Sequence, residues 1–519
     1  MTWEPELEEL RRRERLAREM GGEERVARQH ASGRLTVRER IERLFDPGSF
    51  RESGALAGRG DYEDGELVGF LPANCVVGRG SIDRRPAVVQ GDDFTVRGGA
   101  ADAAIWQKMV FAERLASELR MPLVRLVDGT GGGGSVKTLE TMGHTYVPFI
   151  PGWDLAVENL STVPVVAAAL GPVAGLGAAR VVASHFSVIV RGSAQLFVAG
   201  PPVVAAAMGE APDKEELGGA RAQTRAGAVD NEAADEDDAL TQLKRFLSYL
   251  PSSVWEAPPL LAPSDPPDRR EQELLAIVPR DRRKTYKARR ILEAVLDRGS
   301  LFELGARYGR SLITALGRLD GRPVGVLCSD PGHYAGGLTA DASEKLTRFV
   351  DVCDQFRLPV VNFVDQPGFV IGTEAERRGT IRRGTRALTA VYQASVPWVS
   401  VLVRKVYGVA GAAHGHAGRL NLRYAWPSGD WGSLPIEGGI EAAYRRELEA
   451  AEDPVALRGE IEGRLNAVRS PFRTAERFMV EDIIDPRDTR PLLCEWAERA
   501  HVLVAQDIAG GSKRRGLRP

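Results

Sequence analysis

The chain has 519 residues, with 69 Lys and Arg, 71 Asp and Glu, and a formal net charge of −2. This length is sufficient for two or three domains, and the balanced charge gives no overall field that would attract nucleic acid or an anionic membrane. The four cysteines lie far apart and form no CxxC pair, so neither a zinc ribbon nor a disulfide framework is indicated. The N-terminus lacks the apolar core of a signal peptide, and no run of about 18 apolar residues follows, which predicts a cytoplasmic protein without a membrane partner.

The order of apolar and polar segments predicts an α/β fold. Residues 3–45 contain frequent Glu, Arg and Leu and no proline after Pro5, which predicts one long helix that ends before Asp46. Short apolar runs bounded by Gly, Pro or Asp follow, among them PAVVQ, PLVRLVD and PVVAAAL, with helical stretches between several of them. Such alternation is typical of buried strands in an α/β fold. The proline-rich segment 251–270 is the predicted linker.

The same layout occurs twice along the chain. Three pairs of segments align, with an offset of 237 residues in the first two pairs and 233 in the third. The paired segments are Ile82–Asp93 with Leu319–Asp330, Arg120–Gly131 with Arg357–Gly368, and Pro164–Gly175 with Pro397–Gly408. Chance similarity of apolar strands would not keep a common register over so long a stretch. We therefore predict two tandem copies of one fold, over residues 1–255 and 256–519.

The residues that carry chemistry do not form a nucleophile constellation. The chain has no GxSxG elbow, and His414 and His416 have no nearby carboxylate that would indicate a metal site. Two Gly- and Ala-rich loops, 171–179 and 404–413, are more informative because each follows an equivalent strand. A strand that turns into a helix leaves N–H groups that can stabilise an oxyanion. Tight helix–sheet packing is the alternative explanation, but the presence of the feature in both copies favours ligand binding.

A glycine-rich segment over residues 128–135 also follows a strand. It lacks the Gly-Lys-Ser/Thr ending of a P-loop and the spacing of the GxGxxG fingerprint. We predict a flexible substrate-binding loop here rather than a nucleotide cradle.

A longer series of motifs runs along nearly the whole chain. In chain order the motifs are GRLTVRERIERLFDPGSF (33–50), DDFTVRGGA (92–100), GPVAG (171–175), EELGGA (215–220), DQPGFVIGTEAERRGTIRRG (365–384), RKVYG (404–408) and SPFRTAERFMVEDIIDPRDTR (470–490). By these motifs the chain resembles the carboxyltransferase (β) subunits of biotin-dependent acyl-CoA carboxylases, the propionyl-CoA and methylcrotonyl-CoA carboxylase group. The resemblance implies two tandem crotonase-like (ClpP/crotonase) domains, as the duplication requires.

The resemblance implies transfer of a carboxyl group from carboxybiotin to the α-carbon of an acyl-CoA, through a thioester enolate. It places the acyl-CoA on the first domain and biotin on the second, with the site formed across a subunit dimer. Carboxybiotin is expected to release CO2 in the site and to leave a biotin enolate that takes the α-proton. This chemistry would explain why no side-chain base stands out in the sequence.

The same resemblance assigns roles to individual residues. The backbone N–H groups of Gly175 and Leu176 are expected to hold the enolate oxygen, and those of Val409 and Ala410 the ureido oxygen of biotin. The remaining implied contacts are Gly98, Gly99, Gly131, Gly132 and Ala412 for the acyl-CoA, and Gly368, Phe369 and Gly408 for biotin.

Partners follow from what the sequence lacks. The chain has no ATP-grasp signature and no Met-Lys-Met biotin attachment sequence. A biotin carboxylase and a biotin carboxyl carrier must therefore come from other chains, and biotin is expected as the cofactor on that carrier. By resemblance we also expect an acyl-CoA substrate, no metal, and a homo-oligomer, which is usually a hexamer in the family.

The chain departs from the family pattern at several positions. Leu176 and Val409 stand where the family usually has glycine, and Gly133 stands where an arginine that meets CoA phosphate is expected. Gln223 replaces a histidine that usually follows EELGGA. Two alternatives stay open. A biotin-dependent acyl-CoA decarboxylase subunit would run the same half-reactions backwards, and the sequence of this chain separates it poorly from a carboxylase. The departures at Leu176 and Val409 leave open a non-catalytic subunit that pairs with an active paralogue.

The acyl-pocket position that follows the biotin loop falls on Ala412. Gly411 precedes it in place of an aromatic residue. Small residues at both positions should widen the pocket, so we predict an acyl group other than acetyl or propionyl, larger or branched.

Overall fold

The computed structural model describes residues 2–99, 103–129, 139–140, 142–416 and 418–510. The chain divides into two units, of which unit 1 runs to Glu256 and unit 2 begins at Ala257. Among the described residues, no helix combines the length and the apolar character needed to cross a membrane.

Unit 1 is organised around one mixed sheet. Its strands are β1 (Arg51–Ser53), β2 (Gly58–Glu63), β3 (Glu66–Pro72), β4 (Cys75–Ile82), β5 (Arg85–Asp92), β6 (Leu123–Gly129), β7 (Val165–Ala174), β8 (Phe186–Val190), β9 (Gln195–Phe197) and β10 (Asn231–Ala233). The sheet order is β1-β4-β5-β6-β7-β8-β10, with β9 paired to β7, while β2 and β3 form a separate hairpin. From β5 onwards every pairing in this sheet is parallel.

The helices of unit 1 connect and cover these strands. They are α1 (Glu4–Arg18), α2 (Glu23–Ala31), α3 (Val37–Leu44), α4 (Trp106–Leu119), α5 (Trp153–Thr162), α6 (Leu176–Val182), α7 (Pro201–Met208), α8 (Lys214–Gly218), α9 (Ala220–Ala226) and α10 (Glu236–Tyr249). Residues Arg97–Gly99 form a 3-10 turn.

Unit 2 repeats the sheet. Its strands are β11 (Phe302–Leu304), β12 (Leu312–Leu319), β13 (Arg322–Ser329), β14 (Val360–Gln366), β15 (Trp398–Tyr407), β16 (Asn421–Ala425), β17 (Asp430–Gly432) and β18 (Asp482–Ile483). The order is β11-β12-β13-β14-β15-β16-β18, with β17 paired to β15, which is the topology of the unit 1 sheet.

The helices of unit 2 include a longer C-terminal set. They are α11 (Ala288–Val295), α12 (Ala340–Gln355), α13 (Thr373–Arg377), α14 (Thr380–Gln393), α15 (Gly408–Ala412), α16 (Ile436–Ala443), α17 (Arg445–Ala450), α18 (Pro454–Val468), α19 (Pro471–Ala475) and α20 (Thr489–Ala509). Short 3-10 turns cover Gln272–Leu275, Tyr334–Gly336 and Pro486–Asp488.

The predicted duplication is confirmed strand by strand. β6 and β14 begin 237 residues apart, at positions 123 and 360, and β7 and β15 begin 233 apart, at 165 and 398. The pairing of β6 with β7 shifts register between Val127 and Gly129, and the pairing of β14 with β15 shifts between Val364 and Gln366. The central strands are buried on both faces, because helices cover a parallel sheet on each side, and this burial explains their near-continuous apolar sequences.

The prediction of one helix over residues 3–45 is wrong. Glycines interrupt the segment, because Gly22 and Gly33 adopt φ values of 91° and 73° that other residues rarely adopt. Three helices result, and α3 begins at a capping box formed by Thr36 and Glu39. Its end at Leu44 agrees with the predicted stop before the Asp-Pro-Gly turn.

One hairpin turn of unit 2 depends on a glycine. The turn between β12 and β13 holds Asp320 and Gly321 at positive φ, and the Asp297 carboxylate accepts both N–H groups, at 3.0 and 2.8 Å. A Cβ at Gly321 would overlap the carbonyl oxygen of Leu261. The turn therefore needs glycine for space as well as for conformation.

We predict that Gly321→Ala destabilises unit 2 by about 2–4 kcal/mol, because left-handed strain and the overlap add. Gly299→Ala is the matched control, since Gly299 has φ 75° and no neighbour within 4 Å of the added Cβ. The control should cost only about 1 kcal/mol. Urea unfolding followed by tryptophan fluorescence measures both, and equal midpoints for the two variants would contradict the steric part of the argument.

Candidate functional site

In unit 1 the predicted loop lies at the carboxyl end of β7. Gly175 is exposed and adopts φ 58° and ψ −121°, a conformation that favours glycine, and α6 begins at the next residue. The first helical hydrogen bond runs from the Ala179 N–H to the Gly175 carbonyl, at 3.0 Å. The N–H groups of Leu176 and Gly177 precede that bond and have no acceptor within the helix. The Gly175 N–H donates to the Phe197 carbonyl at 3.2 Å.

In unit 2 the equivalent loop lies at the end of β15. Gly408 is exposed with φ 60°, and α15 starts there. Val409 is 59% exposed and Ala410 is buried. By the strand register, Gly408 corresponds to Gly175 and Val409 to Leu176. The donor pairs implied by the resemblance, Gly175 with Leu176 and Val409 with Ala410, therefore do not occupy equivalent positions. The second pair lies one residue further along its loop than the first.

The structure places Gly98 and Gly99 at the same sheet edge as the unit 1 loop. Both have positive φ, and a Cβ on Gly129 would lie 3.3 Å from the Gly98 carbonyl oxygen and 3.5 Å from the Gly99 Cα. Gly129 in turn pairs with Val173, two residues before Gly175. The other predicted acyl-CoA residues of this unit, Gly131 and Gly132, lie outside the described residues, as does Gly133.

The predicted biotin residues lie close together in unit 2. The Leu338 N–H donates to the Gly368 carbonyl at 3.0 Å, and a Cβ on Gly368 would lie 3.9 Å from the carbonyl oxygen of Tyr407, which precedes Gly408. The Phe369 ring packs on Gly384, where any Cβ would overlap it. Ala412, the predicted acyl-pocket residue, is exposed at the end of α15.

A buried carboxylate lies beneath the unit 1 loop. Asp128, at the end of β6, accepts hydrogen bonds from Arg34 Nη1 at 3.1 Å and from Arg40 Nη1 at 3.0 Å. Arg40 is fully buried and also binds both carboxylate oxygens of Glu236. A Cβ on Gly171 would overlap both Asp128 and the Arg34 guanidinium, so the first glycine of the loop leaves room for this pair.

The equivalent carboxylate in unit 2 is Asp365, and its guanidinium comes from the loop itself. Arg404, which stands at the position of Gly171, donates to Asp365 Oδ2 from Nη2 at 2.8 Å. The Lys405 N–H donates at 3.0 Å and the Tyr286 hydroxyl at 3.0 Å. Burial and then the neighbouring carboxylate hold the pKa of Tyr286 well above its usual value, so the hydroxyl remains a donor.

A small pocket of about 30 Å³ opens beside the unit 1 loop. Leu176 and Arg180 of α6, Trp153 of α5, Trp106 of α4 and Gln90 of β5 belong to its lining. Most of the wall is apolar, but Gln90 and Arg180 are buried, at 1% and 6% exposure. Arg180 Nη1 donates to both oxygens of Asp92, at 3.1 and 3.2 Å.

The buried charges of this region form two pairs. Burial raises the pKa of Asp92, and the Arg180 guanidinium opposes that shift. Next to it, Arg125 donates from Nη2 to Glu113 at 2.7 Å, and Asn159 donates to the other Glu113 oxygen at 2.8 Å. Apart from Leu176, the residues of this pocket were not predicted as site residues. The available signal was a polar residue inside each apolar strand, as in PAVVQ and PLVRLVD.

The remaining polar candidates have structural roles. His416 Nε2 bonds to the Val396 carbonyl at 2.9 Å, and His414 Nδ1 to the Gly411 carbonyl at 2.8 Å. Gln223, the departure from the expected histidine, donates to the Leu196 carbonyl at 2.9 Å. Over the described residues, no group of three or more His, Cys, Asp or Glu side chains could hold a metal ion.

The features shared by the two units indicate the class of protein. In each unit the third parallel strand ends on a glycine turn that opens a helix, and the first N–H groups of a helix have no acceptor within it. This arrangement, in a crotonase-like fold, can bind an oxyanion. The carboxyl transferase domain family model matches residues 28–506. The chain therefore belongs to the carboxyl transferase family, and the predicted family and enzyme class are confirmed.

Known relatives agree over most of their length. The carboxyltransferase subunit of propionyl-CoA carboxylase from Haloferax mediterranei is 37% identical over 94% of this chain and 95% of its own. The α subunit of methylmalonyl-CoA decarboxylase from Veillonella parvula is 33% identical over 91% of both. The crystal structure of transcarboxylase 12S, a hexamer with methylmalonyl-coenzyme A and methylmalonic acid bound, superposes with a TM-score of 0.85 at 33% identity. It covers 100% of this chain and 97% of that one, which confirms the predicted fold class.

The two buried carboxylates generate a prediction about stability. Arg404→Met should destabilise unit 2 by about 3–5 kcal/mol, because it leaves Asp365 buried without a cation. Arg34→Met should cost only about 1–2 kcal/mol, because Arg40 still neutralises Asp128. Urea unfolding of the two variants gives the comparison. A larger loss for Arg34→Met would show that the loop arginine is not the main partner of Asp365.

Proposed function

We propose that the chain transfers a carboxyl group between biotin, carried on a separate protein, and the α-carbon of an acyl-CoA. The observation that carries the proposal is the duplicated loop. Gly175 and Gly408 occupy equivalent strand ends, share a positive φ, and each stand at the start of a helix, where the first N–H groups have no acceptor within the helix. A reaction between two carbonyl compounds that each develop oxyanion character requires two such sites.

On the acyl-CoA side, the Leu176 N–H would stabilise the thioester enolate oxygen. This N–H precedes the first helical hydrogen bond and is available without rearrangement. The Gly175 N–H can contribute only when its bond to the Phe197 carbonyl opens. Gly98 and Gly99, packed on Gly129 at the same edge, would let the CoA chain approach the backbone.

On the biotin side, the ureido ring would lie beside Gly368 and Gly408. The surroundings there are backbone, since a Cβ on Gly368 would face the Tyr407 carbonyl and one on Gly408 would lie 3.5 Å from the Ser433 carbonyl oxygen. The N–H groups of Val409 and Ala410 would bind the ureido oxygen. Carboxybiotin would supply the carboxyl group, and the biotin anion left after loss of that group would accept the α-proton. Phe369, fixed by Gly384, would cover one face of the site.

Partners and assembly follow from the same proposal. A biotin carboxylase and a biotin carboxyl carrier on other chains would load and deliver the carboxyl group. The 12S transcarboxylase forms a hexamer, and its likeness to this chain over nearly all of both lengths supports a hexamer here. Light scattering of the purified chain measures the mass directly.

The decarboxylase direction is the second candidate, and the Veillonella parvula relative supports it. The site chemistry is the same in both directions, so the partner protein decides which way carboxyl groups flow. The decisive assay combines the purified chain with biotin carboxylase, biotinylated carrier and acyl-CoA, and in the reverse direction with free biotin and malonyl-type CoA esters. Absence of transfer in both directions would establish the non-catalytic alternative.

We predict that Gly175→Ala and Gly408→Ala each lower kcat by about 100-fold, because the backbone donors of each loop lose their geometry. An added Cβ on Gly175 meets no atom within 4 Å, so the effect would come from the backbone conformation and not from a clash. Gly65→Ala, in the β2–β3 turn with φ 87° and equally open surroundings, is the control and should retain wild-type turnover. A comparable loss of kcat in Gly65→Ala would contradict the assignment of catalysis to the two loops.

We also predict that acyl-CoAs larger than propionyl-CoA are turned over with higher kcat/KM, because the exposed Ala412 presents only a methyl group at the position where the resemblance places the acyl pocket. The measurement is a panel of acetyl-, propionyl-, isobutyryl- and pentanoyl-CoA under one set of conditions. Ala412→Asp should shift the preference towards the small substrates. Propionyl-CoA as the equal or better substrate of the wild-type chain would contradict the prediction.

A further inference from the structure

A pocket of about 430 Å³ in unit 2 has no role in the proposed function. Its walls include the segment before α11, the turn between β16 and β17, and the chain between α18 and α19. Four arginines line it, and among the described residues no Asp or Glu does. They are Arg280, Arg282, Arg404 and Arg469. We call this the arginine pocket.

Two of the four arginines are neutralised by carboxylates of the chain itself. Arg404 donates from Nε to both oxygens of Asp365, at 3.3 and 3.1 Å. Arg469 binds one oxygen of Asp430 from Nε at 2.6 Å and the other from Nη2 at 2.7 Å. The exposed Glu437 lies 3.4 Å from Arg469 Nη1. These two guanidinium groups therefore do not require an anion from a ligand.

The other two arginines are not neutralised in this way. Arg282 Nη1 lies 3.8 Å from Asp430 Oδ2, which is beyond hydrogen-bond distance and on an oxygen that Arg469 already binds. The Arg280 side chain forms no hydrogen bond or ion pair within the described part of the chain. Asp281 bonds to a backbone N–H two residues further on and does not line the pocket. Because Arg280 and Arg282 are exposed, a ligand can reach both.

The remaining polar groups of the arginine pocket are also donors. Asn466 Oδ1 accepts from Arg469 Nη1 at 3.1 Å, which leaves the amide nitrogen of Asn466 to donate. The Ser470 hydroxyl has no hydrogen-bond partner among the described residues. Leu275, which is 53% exposed, and Val278 form an apolar wall of the same pocket. A ligand that fits would accept hydrogen bonds at one end and carry an apolar group at the other.

We propose that the arginine pocket binds a phosphate monoester, with the phosphate at Arg280 and Arg282 and an apolar organic group on Leu275 and Val278. A phosphate monoester carries about −1.5 to −2 charges at pH 7, which matches two guanidinium groups without a counter-charge. Its terminal oxygens accept hydrogen bonds, and a guanidinium group binds two of them at once.

The alternatives fit the pocket less well. A carboxylate would neutralise only one of the two charges. Inorganic phosphate would leave the apolar wall empty, whereas the volume of the pocket lies within the range of about 300–1,000 Å³ that is usual for small-molecule sites. None of the residues proposed to contact biotin or the acyl-CoA lines this pocket, so the inference does not depend on the proposed function.

Isothermal titration calorimetry of the purified full chain with phenyl phosphate tests the proposal. We expect saturable binding with a Kd of about 1 mM or tighter at low salt, because two guanidinium groups make charge-assisted hydrogen bonds to the phosphate. Benzoate, with one negative charge, should bind at least about 10-fold more weakly. Equal binding of benzoate would overturn the charge match, and tighter binding of glycerol 3-phosphate than of phenyl phosphate would contradict the apolar wall. Absence of saturable binding of phenyl phosphate would overturn the proposal and leave the proposed function intact.

Two variants then assign the binding to the arginine pocket. Arg282→Gln should raise the Kd of phenyl phosphate at least about 10-fold, because one charge-assisted contact is lost. Arg283→Gln is the matched control, since Arg283 is the next residue, is also exposed and does not line the pocket. The control should change the Kd by less than about 2-fold, because salt screens an exposed charge outside the pocket. An unchanged Kd in Arg282→Gln, or equal losses in the two variants, would overturn the assignment.

Discussion

The structure depends on a buried carboxylate at the end of one central strand in each unit. Asp128 and Asp365 occupy the same position, within a shift in strand register, and neither can remain charged in the interior without a cation beside it. In unit 1 one of the cations is Arg34, which precedes the strands of the sheet in the chain. Its guanidinium needs the space left by Gly171. In unit 2 the equivalent loop position is Arg404, which supplies the guanidinium itself. The GPVAG and RKVYG loops therefore differ because each unit neutralises its buried carboxylate in a different way.

This requirement also explains how one fold yields two binding loops with different neighbours. The carboxylate anchors the strand end. In unit 2 the Lys405 N–H bonds to Asp365 directly, and this bond holds the backbone of the loop at Lys405. Beyond the anchor both loops need only a glycine in the left-handed region, at Gly175 and Gly408, to turn outward into a helix. The side chains around each turn are then free to differ, since in the proposed function the backbone would make the oxyanion contacts. Val409 can stand beside the second loop for the same reason.

Much of the fold and the loops could be predicted from the sequence. Strands buried on both faces are continuous apolar runs, so the duplication was visible at PLVRLVD and its counterpart. Three features could not be predicted from the sequence. The breaks at Gly22 and Gly33 depend on backbone conformations that composition does not report. The one-residue difference between the assigned donor pairs emerged only from the strand registers. The pocket in unit 1 joins residues from separate elements, so that Gln90 and Arg180 have no sequence proximity.

Pocket size alone would select weakly among acyl chains. An apolar pocket discriminates weakly between them, because one methylene contributes only about 1–3 kcal/mol. A small residue such as Ala412 would therefore set an upper limit on the size of the acyl group but select poorly within it.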